Sequence, residues 1–312
     1  MISVCRDSKV SLSYDLDFPP LYGITLELFL LRCQVECKVS STMSSGGVMG
    51  QKMKTAPVYY TIAQVRFNPV LSLESYVPGI QESFRKAGYP DFQPGVSIAF
   101  NLTPMLGGEG QAQQVPPVQR TERYVFSNME STCGFILQQN ALSYQATEYD
   151  VFETFSTAFL DGLQVLHKAV SLSFYERVGV RYLDAVFPRE RESLADYLVP
   201  EVMGLVGKLE GSLLHAFSET MTQTAVGTLV SRTIIETGKV GFPADLQLIG
   251  LKVPDRFAQL DGLHATVDTD GFHEAREAFD RATLKARMFA IHDEIVKSFR
   301  ATVTRHAVSV WD

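Results

Sequence analysis

One stretch of the chain decides the predicted fold: SLSFYERVGVRYLDAVF, residues Ser171–Phe187. It alternates polar and apolar residues and is rich in β-branched and aromatic side chains, a pattern typical of a long β-strand. It follows an amphipathic helix that opens at Asp150, in which Phe152, Phe155 and Phe159 fall on one stripe. A new strand directly after a long helix indicates that the chain begins a second pass through the same order of elements.

The first pass lies upstream of that helix. A strand begins near Val58, and Ser72 then caps a helix that contains Pro78. A Gly/Pro/Gln-rich loop, Thr103–Gln119, has no apolar period and is a candidate mobile flap. The sequence predicts four further strands, at residues 96–102, 123–130, 132–138 and 141–147.

The second pass follows Phe187. It has a helix near residues 194–206 with an interior proline, Pro200, and a closing helix at residues 272–303. Four strand patterns lie between these helices, at residues 213–225, 227–237, 245–253 and 263–270. The predicted fold class is therefore α+β, with two successive β-α-β4-α units, each an antiparallel sheet covered by a long helix. The order is similar to TATA-binding-protein-like and helix-grip architectures, a similarity that carries no function.

This interpretation divides the chain into three parts. Residues 53–170 form the first unit, residues 171–312 form the second, and residues 1–52 are an N-terminal extension without a clean period. One hypothesis is that the start is mis-assigned and that translation begins at Met49 or Met53. The alternative is a genuine but poorly packed extension.

Composition limits the classes of partner. The chain has 312 residues, 46% of them hydrophobic, and a formal net charge of −7. A negative charge without runs of Lys and Arg makes nucleic acid an unexpected partner. No apolar run reaches the roughly 18–20 residues that span a bilayer, so we expect no membrane segment.

The cysteines indicate a compartment. Three of the four, Cys5, Cys33 and Cys37, lie near the start, and only Cys133 lies in the body of the chain. No disulfide framework is possible there, which favours a reducing cytoplasm. Cys33 and Cys37 have no second pair at zinc-like spacing, and we expect neither a metal site nor a cofactor.

The strand Ser171–Phe187 supplies a candidate anion site. Arg177, Gly179 and Arg181 share one of its faces, because side chains alternate along a strand. Two guanidinium groups with a glycine between them can hold an anion by bidentate contacts. The alternative, which the sequence favours, is a solvated face with local ion pairs.

A candidate acidic and histidine cluster lies further along. Asp268 and Asp270 are two residues apart on a strand pattern and share a face with His264. Carboxylates so placed can share a divalent cation, but the sequence favours a strand end whose acids precede the next helix. His292, in the closing helix, is either a base on the helix face or a residue at the edge of the core with one hydrogen bond.

Four segments together resemble an uncharacterised, sporadically distributed bacterial protein family, over about residues 55–312. They are QVRFNPV (Gln64–Val70), RVGVRYLDAV (Arg177–Val186), VDTD (Val267–Asp270) and MFAIHDEIVKSFRATVTRHAVSVW (Met288–Trp311). The resemblance implies no activity and no catalytic residue. Sporadic occurrence fits accessory genes, including defence systems.

The sequence therefore predicts a non-catalytic binding or interaction protein whose partner is a protein or a small molecule. No P-loop, nucleophile elbow or HExxH motif is present. The alternative is an enzyme acting on an anionic small molecule, with Arg177, Arg181, Asp268, Asp270 and His292 as its site. That alternative requires the five side chains to share one cleft.

Overall fold

The computed structural model describes residues 53–100 and 118–312, with the backbone alone for residues 97–100 and 118–121. The predicted extension, residues 1–52, and residues 103–117 of the predicted flap lie outside the described residues. The strands are β1 (Val58–Phe67), β2 (Asp91–Phe100), β3 (Val118–Ser127), β4 (Cys133–Gln138), β5 (Ala141–Ala146), β6 (Phe174–Val186), β7 (His215–Gln223), β8 (Thr228–Lys239) and β9 (Asp261–Ala278). The helices are α1 (Leu73–Lys86), α2 (Phe152–Val170), α3 (Leu194–Tyr197), α4 (Pro200–Met203), α5 (Asp255–Ala258), α6 (Arg281–Thr302) and α7 (Arg305–Trp311).

All nine strands of the described chain join one sheet in the order β2-β3-β4-β5-β1-β6-β9-β8-β7. Every neighbouring pair is antiparallel. At the centre, β1 pairs with β5 on one side and β6 on the other, and Ile62 lies opposite both Gln145 and Arg181. The sheet is therefore continuous from one half of the chain to the other.

Helices cover one face of this sheet. One face of β6, its apolar phase, carries Val178, Val180 and Tyr182. These side chains pack into the same buried cluster as α1, α2 and α6. Burying each such side chain contributes roughly 1.5–3 kcal/mol. Close packing extends to the backbone of α2, since a Cβ on Gly162 would lie 2.2 Å from the ring of Phe135 on β4.

A long connection, residues 240–260, covers the centre of the opposite face, and we call it the covering loop. A β-bulge between Val58 and Tyr60 turns both Tyr59 and Tyr60 towards this face. Apolar residues of the loop pack on these rings, and the Tyr59 hydroxyl donates to the Gly241 carbonyl at 2.7 Å. Side-chain packing and a few polar contacts hold the loop, rather than strand pairing.

The prediction of two β-α-β4-α units, each with its own sheet and covering helix, is wrong. The structure has one nine-stranded sheet, and β6 is followed by three strands rather than four. The order therefore does not match the TATA-binding-protein-like or helix-grip plan. The cause lies in β1 and β6, which the sequence predicted as the first strands of separate sheets. They pair with each other along most of their length.

Three elements of the second half account for the rest of the error. Residues 245–253, a predicted strand, belong to the covering loop, and their alternation reflects packing of one side onto the sheet. The predicted helix at residues 194–206 is two short helices, because Pro200 begins α4. The closing helix begins at Arg281, where the Asp280 carboxylate caps it, so the preceding residues extend β9.

Candidate functional site

The loop-covered face carries a network of charges around the buried Arg181 and Asp268. We call it the ionic cluster, and it comprises Arg181, Arg232, Glu219, Asp245 and Asp268. Strand register creates it: Arg232 on β8 lies opposite both Glu219 on β7 and Asp268 on β9. Arg181 on β6 donates to Asp268 through Nε and Nη2, each at 2.7 Å. Arg232 adds a contact of 3.3 Å from Nη1 to Asp268 and one of 2.6 Å from Nε to Glu219. Asp268 is fully buried and is paired with both arginines.

The guanidinium of Arg181 is nearly saturated by these partners. Besides Asp268, it donates from Nη1 and Nη2 to the two oxygens of Asp245, at 2.9 and 3.0 Å. Burial alone would lower the pKa of Arg181, but the hydrogen bonds to Asp268 and Asp245 outweigh burial and raise it. The hydrogen bond from Arg181 lowers the pKa of Asp245 in turn. Four of the five N–H donors of Arg181 therefore serve internal carboxylates.

Arg177 and Asp270 lie beside this cluster on the same face. The Arg177 Nη2 is 3.8 Å from a carboxylate oxygen of Asp270, and its guanidinium stacks 4.4 Å above the ring of Phe272. Burial lowers the pKa of Arg177 and raises that of Asp270. A Cβ on Gly179 would lie 3.1 Å from the Arg177 Nη1, so the glycine leaves room for this arginine.

His264 lies on the same face of the sheet as Asp268 and Asp270, but it takes no part in their ion pairs. It is buried at the other end of β9, where its ring stacks on Phe187 with centroids 4.7 Å apart. Its Nδ1 lies 3.0 Å from the Gly262 carbonyl. In the described chain, no group of three or more His, Cys, Asp or Glu side chains is arranged to hold a metal ion.

His292, the fifth predicted site residue, lies on the helix-covered face. It lines a cavity of about 250 Å³, which we call the Asp184 cavity. Residues before and within β1, the connection from β5 to α2, β6 and α6 all contribute to it. The lining comprises Met53, Ala56, Pro57, Val58, Tyr149, Asp150, Val151, Phe152, Glu153, Tyr182, Asp184, His292, Ile295, Val296, Phe299 and Arg300.

A chain of hydrogen bonds orders one wall of the cavity. The Tyr182 hydroxyl donates to the Tyr149 hydroxyl at 3.1 Å and lies 3.2 Å from Nδ1 of His292. Because the Tyr182 proton is used for Tyr149, the tautomer with hydrogen on Nδ1 of His292 completes the chain. The His292 ring stacks on Phe152, with centroids 4.0 Å apart and planes 10° apart.

Burial sets the protonation of this wall. It lowers the pKa of His292, although Asp293 and Glu153 oppose the change. It raises the pKa of both Tyr182 and Tyr149. At neutral pH the wall is therefore a neutral imidazole joined to two neutral phenols.

Asp184 is the residue of the cavity that the sequence analysis missed. It lies on the apolar phase of β6, is 7% exposed and lines the cavity beside Tyr182. Among the described residues, none donates a hydrogen bond to its carboxyl group. Burial, together with the charge of Asp268, raises its pKa from 3.8 to about 8. An acidic residue in the apolar phase of an alternating strand was the signal available in the sequence.

The structure thus places four of the five predicted site residues on one face and the fifth on the other. Arg177, Arg181, Asp268 and Asp270 neighbour one another on the loop-covered face. His292 is separated from them by the sheet and belongs with Asp184. Residues of the ionic cluster also line an open cavity of about 510 Å³, but their charged groups are already paired there.

The lining of the Asp184 cavity limits its chemistry. It supplies a carboxyl group, a neutral imidazole, two phenols and aromatic rings. Its described lining has no serine, threonine, cysteine or lysine. The arrangement suits the recognition of a ligand by hydrogen bonds and aromatic contact.

Comparison with known proteins assigns no family. No protein-family model matches the chain, and no curated protein or solved structure matches it at a significant level. Of the helices in the described residues, none is both long and apolar enough to cross a membrane.

Proposed function

We propose that this chain is a non-catalytic binding protein and that the Asp184 cavity is its ligand site. One observation carries the proposal: Asp184, a residue that is 7% exposed, lines a cavity, and its carboxyl group has no hydrogen-bond donor among the described residues. A polar group that is withdrawn from water without a hydrogen-bond partner destabilises a fold by up to roughly 1–3 kcal/mol. A ligand that donates to Asp184 would offset that penalty.

The ordered lining supports the binding of a ligand. The ordered wall of Tyr149, Tyr182 and His292 is fixed by mutual hydrogen bonds and by stacking on Phe152. Such a preorganised surface lowers the entropy lost when a ligand binds. The proposal also includes a cytoplasmic setting, which the free thiol of Cys133 supports.

The alternative, an enzyme acting on an anionic small molecule, has less support. Its five residues do not share one cleft, because His292 lies on the opposite face from Arg177, Arg181, Asp268 and Asp270. The guanidinium of Arg181 already serves two carboxylates.

The test is a binding screen with a blocked cavity as control. Purified full-length chain is incubated with a library of metabolites of mixed charge, and retained compounds are identified by native mass spectrometry. Val296→Phe places a ring in the cavity from α6, and Ala286→Phe adds the same ring to an exposed position of that helix. We expect compounds that bind the wild-type chain and Ala286→Phe but not Val296→Phe.

Two outcomes would contradict the proposal. Compounds that bind Val296→Phe as well as wild type would place the site elsewhere. Conversion of a bound compound to a product of different mass would show that the chain is an enzyme.

A further inference from the structure

The charges around the Asp184 cavity are unequal. Three carboxyl-bearing residues line it, Asp150, Glu153 and Asp184, against one guanidinium, that of Arg300. His292 adds no positive charge at neutral pH, since burial lowers its pKa. Asp184 is itself mostly protonated below pH 8 and adds its negative charge only when it ionises. With Asp184 ionised, the lining favours a positively charged occupant.

Aromatic rings add to this preference. Tyr149, Phe152, Tyr182 and Phe299 all line the cavity. Ring faces attract cations, and the attraction is greater where the site is desolvated. Aromatic rings together with a carboxylate form a site of the kind that holds organic cations.

We propose that the Asp184 cavity binds a small organic ammonium ion that donates N–H hydrogen bonds to the Asp184 carboxylate. This inference rests on the proposed function and adds the chemical class of the ligand. The cavity, at about 250 Å³, is smaller than the roughly 300–1,000 Å³ of sites for drug-sized ligands. The occupant is therefore a small amine.

The unpaired state of Asp184 selects among cations. A primary or secondary ammonium ion supplies N–H donors, whereas a quaternary ammonium ion supplies none. Only the former gives the carboxylate a hydrogen-bonded partner as well as a counter-charge. We therefore expect primary and secondary amines to bind more tightly than their quaternary analogues.

Binding must then depend on pH through Asp184. Below pH 8 the carboxyl group is mostly protonated, and it must lose its proton to pair with an ammonium ion. Affinity should rise by about tenfold per pH unit well below pH 8 and level off above it. The titratable and charged groups that face or influence Asp184 are Tyr182 on β6, Tyr149, Asp150 and Glu153 around the start of α2, His292 and Arg300 on α6, and Asp268 and Tyr59 across the sheet.

The experiment uses a matched set of probes: phenethylamine, 2-phenylethanol, phenylacetate and N,N,N-trimethylphenethylammonium, together with smaller primary and secondary amines. Affinities for the full-length chain are measured by isothermal titration calorimetry at pH 6, 7 and 8. The variant is Asp184→Asn, and the control is Asp270→Asn, which removes a carboxylate on the opposite face. We expect amines to bind best, to tighten with pH, and to lose about 10- to 100-fold in affinity in Asp184→Asn alone.

The outcomes separate the two proposals. If the alcohol or the carboxylate binds as tightly as the amines and Val296→Phe abolishes that binding, the ligand class is wrong but the binding function stands. If amines bind Asp184→Asn as tightly as wild type, Asp184 is not the counter-ion and the inference fails. If no amine binds while the metabolite screen finds an occupant of the cavity, the inference about the ligand class fails and the proposed binding function stands.

Discussion

Replacing Asp184 by asparagine should stabilise the protein at neutral pH, and the gain should vanish in acid. The native pKa of about 8 lies above the ordinary value of 3.8, so between those values the folded chain binds more protons than the unfolded chain. The free energy of unfolding therefore falls as pH rises through this window. Asparagine has nearly the same shape but does not titrate, and it removes that dependence.

The size of the effect follows from the shift. Each pH unit within the window changes the contribution of Asp184 by about 1.4 kcal/mol. Between pH 5 and pH 7 the stabilisation by Asp184→Asn should therefore grow by about 3 kcal/mol. Any fixed cost of burying the amide is the same at both pH values and cancels from this difference.

Urea unfolding followed by circular dichroism measures the difference directly. Wild type, Asp184→Asn and the exposed control Asp261→Asn are compared at pH 5 and pH 7, with the slopes against urea checked for equality. The control should change stability by the same small amount at both pH values. A gain for Asp184→Asn that is equal at pH 5 and pH 7 would refute the reasoning, because it would mean that Asp184 is ionised and compensated in the folded chain.

Two further predictions concern the packing of the sheet. Arg181→Ala should lower the free energy of unfolding by about 3–5 kcal/mol in urea titrations, because Asp268 would be left buried with one weaker partner. The control, Arg276→Ala, removes an exposed ion pair and should change the free energy of unfolding by less than about 1 kcal/mol. Equal losses would show that the burial of Asp268 is not what matters. Gly162→Ala should destabilise by about 1–3 kcal/mol in thermal or urea unfolding, because its Cβ would enter a phenylalanine ring from β4. Gly79→Ala, in open space on α1, should be neutral or stabilising by up to about 1 kcal/mol, and a loss there equal to that of Gly162→Ala would contradict the steric reason.

The sequence predicted elements better than their assembly. The stripe of Phe152, Phe155 and Phe159 predicted α2, and the alternation after Val58 predicted β1, because in both cases local periodicity matches the burial of one face. Whether β1 and β6 belong to one sheet depends on the pairing of two edges. Alternation along a strand is the same whether the two strands share one sheet or belong to separate sheets, so the sequence held no signal for their pairing.

The residues of the candidate site also differ in how far the sequence could predict them. The pairing of Arg181 with Asp268 follows from a register that links β6 to β9, and no local pattern specifies that register. Asp184, by contrast, is an acidic residue at a position where the alternation of the strand predicts an apolar one, and this exception is visible in the sequence.

The central position of β1 also bears on how the chain is made. The strand leaves the ribosome well before its partners in the sheet, around Gln145 and Arg181, have been synthesised. At translation rates of about 5–20 residues per second, the second edge of β1 waits on the order of ten seconds for β6. During that interval a largely apolar strand presents open hydrogen-bonding groups to its surroundings. The nascent chain is therefore expected to depend on holding chaperones until β6 has emerged, although the finished sheet conceals that edge completely.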